Sequence, residues 1–164
     1  MFIALENLFN GGIRSIPLDC EFDFTTYEFG GVFPFTTPVL LKGEIRNRAG
    51  VVEIDAVASF DDVADCDRCA ALTKTRYEVP VKHGLVSKLN NEDNDDYIVV
   101  ENMELDVEAL TLEDIYLFLP GKYLCSEDCK GICSQCGTNL SEKSCDCKKE
   151  IDPRWASLLS FTDE

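Results

Sequence analysis

Histidine, basic residues and long apolar runs are all scarce in this chain, and each scarcity narrows what it can be. His83 is the single histidine among 164 residues. It follows a strand-like stretch and is expected to be a satisfied structural residue. No Gly-rich phosphate loop, nucleophile elbow or His-Glu-x-x-His helix occurs, so the sequence offers little to an enzyme, and no catalytic residue is expected. Lysine and arginine number 15 against 31 aspartates and glutamates, a net charge of −16. A surface of that sign repels polyanions, because phosphate contacts need clustered bases. Direct RNA contact is therefore limited, and a basic protein partner fits better. No apolar run approaches the roughly 20 residues of a membrane helix, so no membrane partner is expected. Within Met1–Asn10 an acid, Glu6, and no base accompanies the apolar residues. That is not the pattern of a secretory signal, and a cytoplasmic location is expected.

What the chain does have is cysteine. Nine are present, and all but Cys20 are clustered. A disulfide framework would want an even count and an export signal, and neither is here. Clustered thiols in a cytosolic chain point to metal.

Hydrophobic residues make up 45% of the chain, ordinary for a globular core. Ile13–Phe24 has the look of an extended segment. Leu18, Cys20, Phe22 and Phe24 fall on one face of it and Asp19, Glu21 and Asp23 on the other, the period-2 signature of a half-buried strand. Cys20 is then a small core residue. Val39–Arg46 and Val51–Phe60 are rich in β-branched residues, with Asn47-Arg48-Ala49-Gly50 as a hairpin turn between them. A third strand, about Ala71–Val81, alternates Thr73, Thr75, Tyr77 and Val79 with Lys74, Arg76 and Glu78. This places Cys66-Asp67-Arg68-Cys69 at a strand-to-strand turn. The run Asn90–Asp96 is a polar acidic loop, and a short strand, Tyr97–Val100, follows it. Between Glu92 and Asp114 stand ten acidic residues and no base, a candidate docking face for a basic partner. A helix should begin at Asp106 as N-cap, with Glu108 in its first turn. Ala109, Leu112, Ile115, Tyr116 and Leu119 form its core face, and Pro120-Gly121 stops it.

Beyond Pro120 the chain is rich in Cys, Gly, Ser and Lys and poor in large apolar side chains. So short a segment needs a staple in place of a core. The candidate ligands are Cys125, Cys129, Cys133, Cys136, Cys145 and Cys147, six cysteines in a 23-residue window. Zinc takes four ligands in a tetrahedron. Cys133-Ser134-Gln135-Cys136-Gly137 has the shape of a zinc knuckle and supplies the best pair. The second pair comes from Cys125, Cys129, Cys145 and Cys147, and spacing does not choose among them. Cys66 and Cys69 are a candidate second cysteine pair, and a rival geometry joins them to Cys133 and Cys136 as a zinc ribbon. An iron–sulfur cluster is disfavoured, since the spacing matches neither common ferredoxin run. An all-thiolate shell leaves no open coordination position, so the site is expected to be structural. Thioredoxin-like chemistry at Cys66-Asp67-Arg68-Cys69 is a weaker alternative, because such a motif opens a helix and here it joins strands. After the cluster, Asp152-Pro153 can start a short helix that sets Trp155, Leu158 and Leu159 on one face.

One combination of motifs carries a family resemblance. It comprises Cys66-x-Arg68-Cys69 between strands, an apolar helix ending in Leu119-Pro120, Cys125, Cys129-Lys130-Gly131-Ile132-Cys133, Cys136-Gly137 and Asp152-Pro153-Arg154. Together these resemble the YceD family of bacterial and plastid proteins, described as large ribosomal RNA subunit accumulation proteins. The resemblance covers roughly Val39 to Leu159 and is specific at the C-terminal motif. Ser134 stands where relatives commonly carry proline, a change that leaves metal binding intact. The resemblance implies a non-catalytic role in accumulation or processing of large-subunit (23S) ribosomal RNA. In many bacteria the family is encoded beside a small ribosomal protein of that subunit, and some relatives lack the C-terminal cysteines.

The expected fold is α+β: an antiparallel β-meander or barrel-like sheet packed with one or two helices, over residues 1–120. A cysteine-rich zinc-binding appendage follows over 121–164. The expected function is ribosome biogenesis by binding a large-subunit ribosomal protein or pre-ribosomal particle, with zinc as cofactor and no small-molecule substrate. A zinc-dependent RNA-binding protein and a thiol oxidoreductase are the alternatives. The segment from Cys125 to Trp155 has five bases against six acids, near neutrality, which would permit local RNA contact.

Overall fold

The computed structural model describes residues 1–29, 31, 33–88 and 97–147. Its elements in chain order are β1 (Phe2–Ala4), α1 (Glu6–Phe9), β2 (Ser15–Phe22), β3 (Val39–Arg48), β4 (Val51–Asp65), β5 (Leu72–Val86), β6 (Tyr97–Val99), a 3-10 turn (Glu101–Met103), β7 (Glu104–Asp106) and α2 (Val107–Phe118). The main sheet has five strands in the order β2-β3-β4-β5-β6, and β1 and β7 form a separate antiparallel ribbon. The meander from β2 to β5 is antiparallel, as its alternating sequence predicts.

Two features depart from expectation. The sheet is open, with β2 and β6 as its edges, and is not the barrel-like closure anticipated. It is also mixed, because β6 runs parallel to β5, with Gly84 opposite Tyr97. A direction reversal of that kind is set by the path of the connection, which strand alternation does not encode.

The β3–β4 hairpin turns on two residues, Ala49 and Gly50, not four: Arg48 pairs directly with Val51. Ala49 has φ +53° and Gly50 φ +92°, the type I′ geometry whose twist matches the flanking strands. Asn47 braces this turn by accepting the Gly50 N–H at 2.9 Å, and donates to the Leu8 carbonyl at 2.7 Å.

One face of the sheet is the core. On β4 the alternation buries Val52, Ile54, Ala56, Ala58 and Phe60, and on β2 it buries Leu18 and Phe22 with Cys20 partly covered beside them. Leu5 and Leu8 of the α1 region and α2 pack against this face. Asp106 caps α2 as expected, its carboxylate accepting the Ala109 N–H at 3.3 Å. The predicted stripe is only part of the buried face: its Ile115 and Leu119 are buried, and Val107, Leu110 and Thr111 are buried beside them. Leu112 and Tyr116 are only partly covered, and Ala109 is exposed. Several helical stripes of α2 are apolar, so spacing alone does not select the buried one.

A run of aromatic rings crosses the core and ends at the surface: Phe22, Phe24, Phe35, Phe60, Tyr77 and the exposed Phe118, with successive centroids 5.1–6.3 Å apart. Its last member lies at the end of α2, so the ladder fixes where the chain leaves the helix. His83 is paired through Nε2 to the Asp114 carboxylate at 2.8 Å, which ties α2 to β5. The acidic run Asn90–Asp96 and the helix expected at Asp152–Leu159 lie outside the described residues.

Candidate metal centre

The long β4–β5 ladder runs without a break from Val52 opposite Leu85 to Asp65 opposite Leu72. It delivers the turn Cys66–Ala70 on a rigid stalk. The turn closes when Ala70 donates to the Cys66 carbonyl at 2.8 Å and Cys66 to the Ala71 carbonyl at 2.9 Å, with Ala70 at φ +56°. The chain leaving α2 reaches this turn at Tyr123. There the Asp67 N–H donates to the Tyr123 carbonyl at 2.8 Å, and the Tyr123 N–H donates to the Asp67 carboxylate at 2.8 Å.

Arg68 continues the docking. Its guanidinium donates to the carbonyls of Cys129 at 2.8 Å and Glu127 at 3.3 Å, and its own carbonyl accepts from Ile132 at 3.1 Å. Gly131 lies in the left-handed region at φ +75°, and a Cβ there would stand 2.9 Å from the Arg68 carbonyl oxygen. Only glycine lets the two backbones come so close.

This docking assembles the first quartet, Cys66, Cys69, Cys125 and Cys129, whose Sγ atoms all lie within 4.8 Å of one another. Cys66 and Cys129 are 3.8 Å apart, and Cys69 and Cys125 are 3.6 Å apart. A tetrahedral four-thiolate shell with metal–sulfur bonds near 2.3 Å places its sulfurs about 3.8 Å from one another. The spacing fits that shell. It is far beyond a disulfide bond, and all nine cysteines are free. Three of the four thiols are buried and Cys125 is exposed.

The second quartet is Cys133, Cys136, Cys145 and Cys147, again with every Sγ within 4.8 Å of the others. The Cys133–Cys136 knuckle forms when Gly137 donates to the Cys133 carbonyl at 2.9 Å and Cys133 to the Thr138 carbonyl at 2.9 Å. A bridge between Ile132 and Asn139 closes its base. None of its thiols is buried. The quartets are stitched together at Ser141, which accepts the Lys130 N–H at 2.9 Å and sits 3.8 Å from the Cys129 sulfur.

The local backbone favours thiolates. Amide N–H groups of Cys125, Arg68 and Cys69 hold the Cys66 thiol down to about 6. The hydroxyl and amide of Thr138 hold Cys136 down to about 6. Their neighbours move the other way. Cys147, donating to Cys136, is pushed up to about 12. Cys69 also rises to about 12; the Ala71 N–H opposes this, but burial and bonds to Cys125, Cys66 and Cys129 outweigh it. Without an ion, each quartet shares the protons that a cation would displace. Either quartet can hold a metal ion, and either shell would be coordinatively full with its four thiolates.

The sequence-predicted cysteines are thus partitioned in a way the spacing did not dictate. Cys66 and Cys69 face Cys125 and Cys129, and the ribbon that would join them to Cys133 and Cys136 is not what the structure brings together. Cys145 and Cys147 both belong to one quartet, so no choice between them arises. The bracing roles of Asp67, Arg68, Gly131 and Ser141 were missed. One signal could have found the number of sites: eight clustered cysteines are two complete tetrahedra.

The model for a family of proteins described as "Large ribosomal RNA subunit accumulation protein YceD" matches residues 55–162. The chain belongs to the YceD family. The matched span begins within β4 and takes in both quartets. Among curated relatives, a Mycobacterium tuberculosis protein named only as uncharacterized is 30% identical over 118 residues, 68% of this chain and 56% of the relative. A Mycobacterium leprae protein, also named as uncharacterized, is 24% identical over 135 residues, 79% of this chain and 62% of the relative. The "Large ribosomal RNA subunit accumulation protein YCED homolog 1, chloroplastic" of Arabidopsis thaliana is 24% identical over 148 residues, 72% of this chain and 46% of the relative. This YceD chain therefore spans about half to three fifths of the length of the relatives it matches. No solved structure matches it. Among the described residues, no helix is long and apolar enough to cross a membrane.

Proposed function

We propose that this YceD-family chain is a non-catalytic factor of ribosome biogenesis, which supports accumulation and processing of large-subunit ribosomal RNA by holding a basic ribosomal protein or an assembly intermediate. The observation that carries this reading is the family match over residues 55–162, which includes all eight clustered cysteines. The net charge of −16 favours a basic polypeptide over RNA as the species held. The chain acts in the cytoplasm in this reading.

Zinc is the metal we assign to both quartets. Four thiolates in a closed tetrahedron suit its structural sites, and the ion contributes on the order of 10–16 kcal/mol at neutral pH. The β-rich part, residues 1–120, is then held to the cysteine-rich part, 121–164, by the first ion, and the second ion orders the far loop. Thiol oxidoreduction finds less support. Cys66 is 2% exposed and faces Cys129, so it is poorly placed to exchange with an outside disulfide.

The test is genetic and biochemical together. Removing the gene from its host should lower the ratio of large- to small-subunit ribosomal RNA. The wild-type chain should restore that ratio, and Cys66→Ser should not. An unchanged ratio in the deletion strain would rule the reading out.

A further inference from the structure

Beside the free edge of β6 lies a groove of about 320 Å³ between that strand, the β1–β7 ribbon and the start of α2. Three independent features of this groove bear on what it holds.

The first is apolar exposure. Phe2 is 69% exposed and Val99 41% exposed on its walls, while Leu110 forms a nearly buried floor. The second is an unguarded strand edge. Among the described residues β6 pairs only with β5, so its other side presents unpaired backbone donors and acceptors. Edge strands are commonly protected by lysine or proline, and Tyr97-Ile98-Val99 carries neither. The third is charge. Glu101, Glu104 and Glu113 line the rim, all three exposed. Among the described residues none of them has an ion-pair partner and no lysine, arginine or histidine lines the groove, while the fourth carboxylate there, Asp106, is paired with the Met1 ammonium at 2.9 Å.

We propose that this groove receives an extended segment of a basic protein, which adds to β6 as a further strand. Its backbone pairs with the free edge of β6, its apolar side chains cover Phe2 and Val99, and its lysines or arginines reach the three glutamates. Charge excludes the other occupants. A second copy of this chain would bring −16 to an acidic rim, and nucleic acid or an anionic lipid surface would bring more of the same sign. The inference rests on the reading that the chain holds a basic partner, and it names the surface and the backbone geometry by which it does so.

The test uses the full, metal-loaded chain and a labelled octapeptide of alternating lysine and valine, followed by fluorescence anisotropy. Wild type should bind it. Glu104→Lys with Glu113→Lys should weaken binding by about tenfold or more, some 1.4 kcal/mol. Glu21→Lys with Glu78→Lys makes the same change in net charge at exposed sites outside the groove, and should leave binding within about twofold. Amide resonances of Ile98, Val99 and Val100 should shift on titration. Equal losses in the two double variants would overturn the groove while leaving a diffuse basic-partner reading in place. A wild-type chain that ignores the peptide but binds a large-subunit RNA fragment with steep salt dependence would overturn both.

Discussion

Asp62 stands on β4 where the alternation of Val52, Ile54, Ala56, Ala58 and Phe60 calls for another apolar side chain. It is 1% exposed, and its Oδ1 has no hydrogen-bond partner among the described residues. Burial pushes its carboxyl above the ordinary carboxylate value, with the Val63 N–H pulling the other way. A raised folded-state value means that the folded chain binds this proton more tightly than the unfolded chain does. Stability from this group is therefore present below the unfolded value and is lost as pH rises through the folded one. Asp62→Asn should then be more stable than wild type at pH 8 by about 1 kcal/mol, with the gap narrowing toward pH 5. Urea denaturation of the metal-loaded protein at both values checks this, and an Asn variant no more stable at pH 8 contradicts it. Gly131 is the other residue with a sharp consequence. Gly131→Ala should destabilise docking of the cysteine segment by about 1–2 kcal/mol from left-handed strain alone. The contact with the Arg68 carbonyl adds to that cost. Gly121→Ala meets nothing within 4 Å and should melt like wild type in the same thermal scan.

The two cysteine elements differ in what they close. The first quartet gathers residues 63 positions apart in the chain, Cys66 and Cys129, so an ion bound there would close a large loop. The second is made within Cys133–Cys147 and closes only local turns. Both Cys66→Ser and Cys136→Ser should lower bound metal from two ions per chain to one, read by native mass spectrometry. Their structural effects should diverge. The first should expose the amides of Tyr123 and Ile132 to hydrogen exchange, because the hydrogen bonds to Asp67 and Arg68 lose their anchor. The second should leave those amides protected and loosen only the residues from Cys133 onward. Identical exchange maps for the two variants would show that the quartets are not separable staples. The β4–β5 stalk was legible as alternating strands with a cysteine pair at their turn, and α2 was legible from its Asp106 cap and its Pro120 stop. The full width of the buried face of α2 was not, because Leu110, Leu112, Leu117 and Phe118 make it apolar on several sides.

At the scale of the whole molecule, a buried apolar sheet face and a segment of clustered thiols share one chain. The aromatic run from Phe22 to Phe118 and the buried β2–β5 face need no ion. Residues 123–147 include only one buried hydrophobic residue among those described, Cys129 itself. Titration with a strong chelator under reducing conditions should abolish exchange protection across 123–147 while that of β3 and β4 persists. Loss of both at the same chelator concentration would place the ions within the folding core.

The sequence by itself determined the chemistry and the local geometry. Thiol number, clustering and the scarcity of histidine set an all-sulfur donor group, and period-2 alternation set the meander. Only the tertiary structure decided which thiols face one another, which way β6 runs, and that β6 keeps, among the described residues, an open edge beside acidic side chains. The physical reason is range. Spacing restricts neighbours a few residues apart, whereas contact between Cys66 and Cys129 depends on a strand ladder, a helix docked on its sheet, and a glycine that lets two backbones meet.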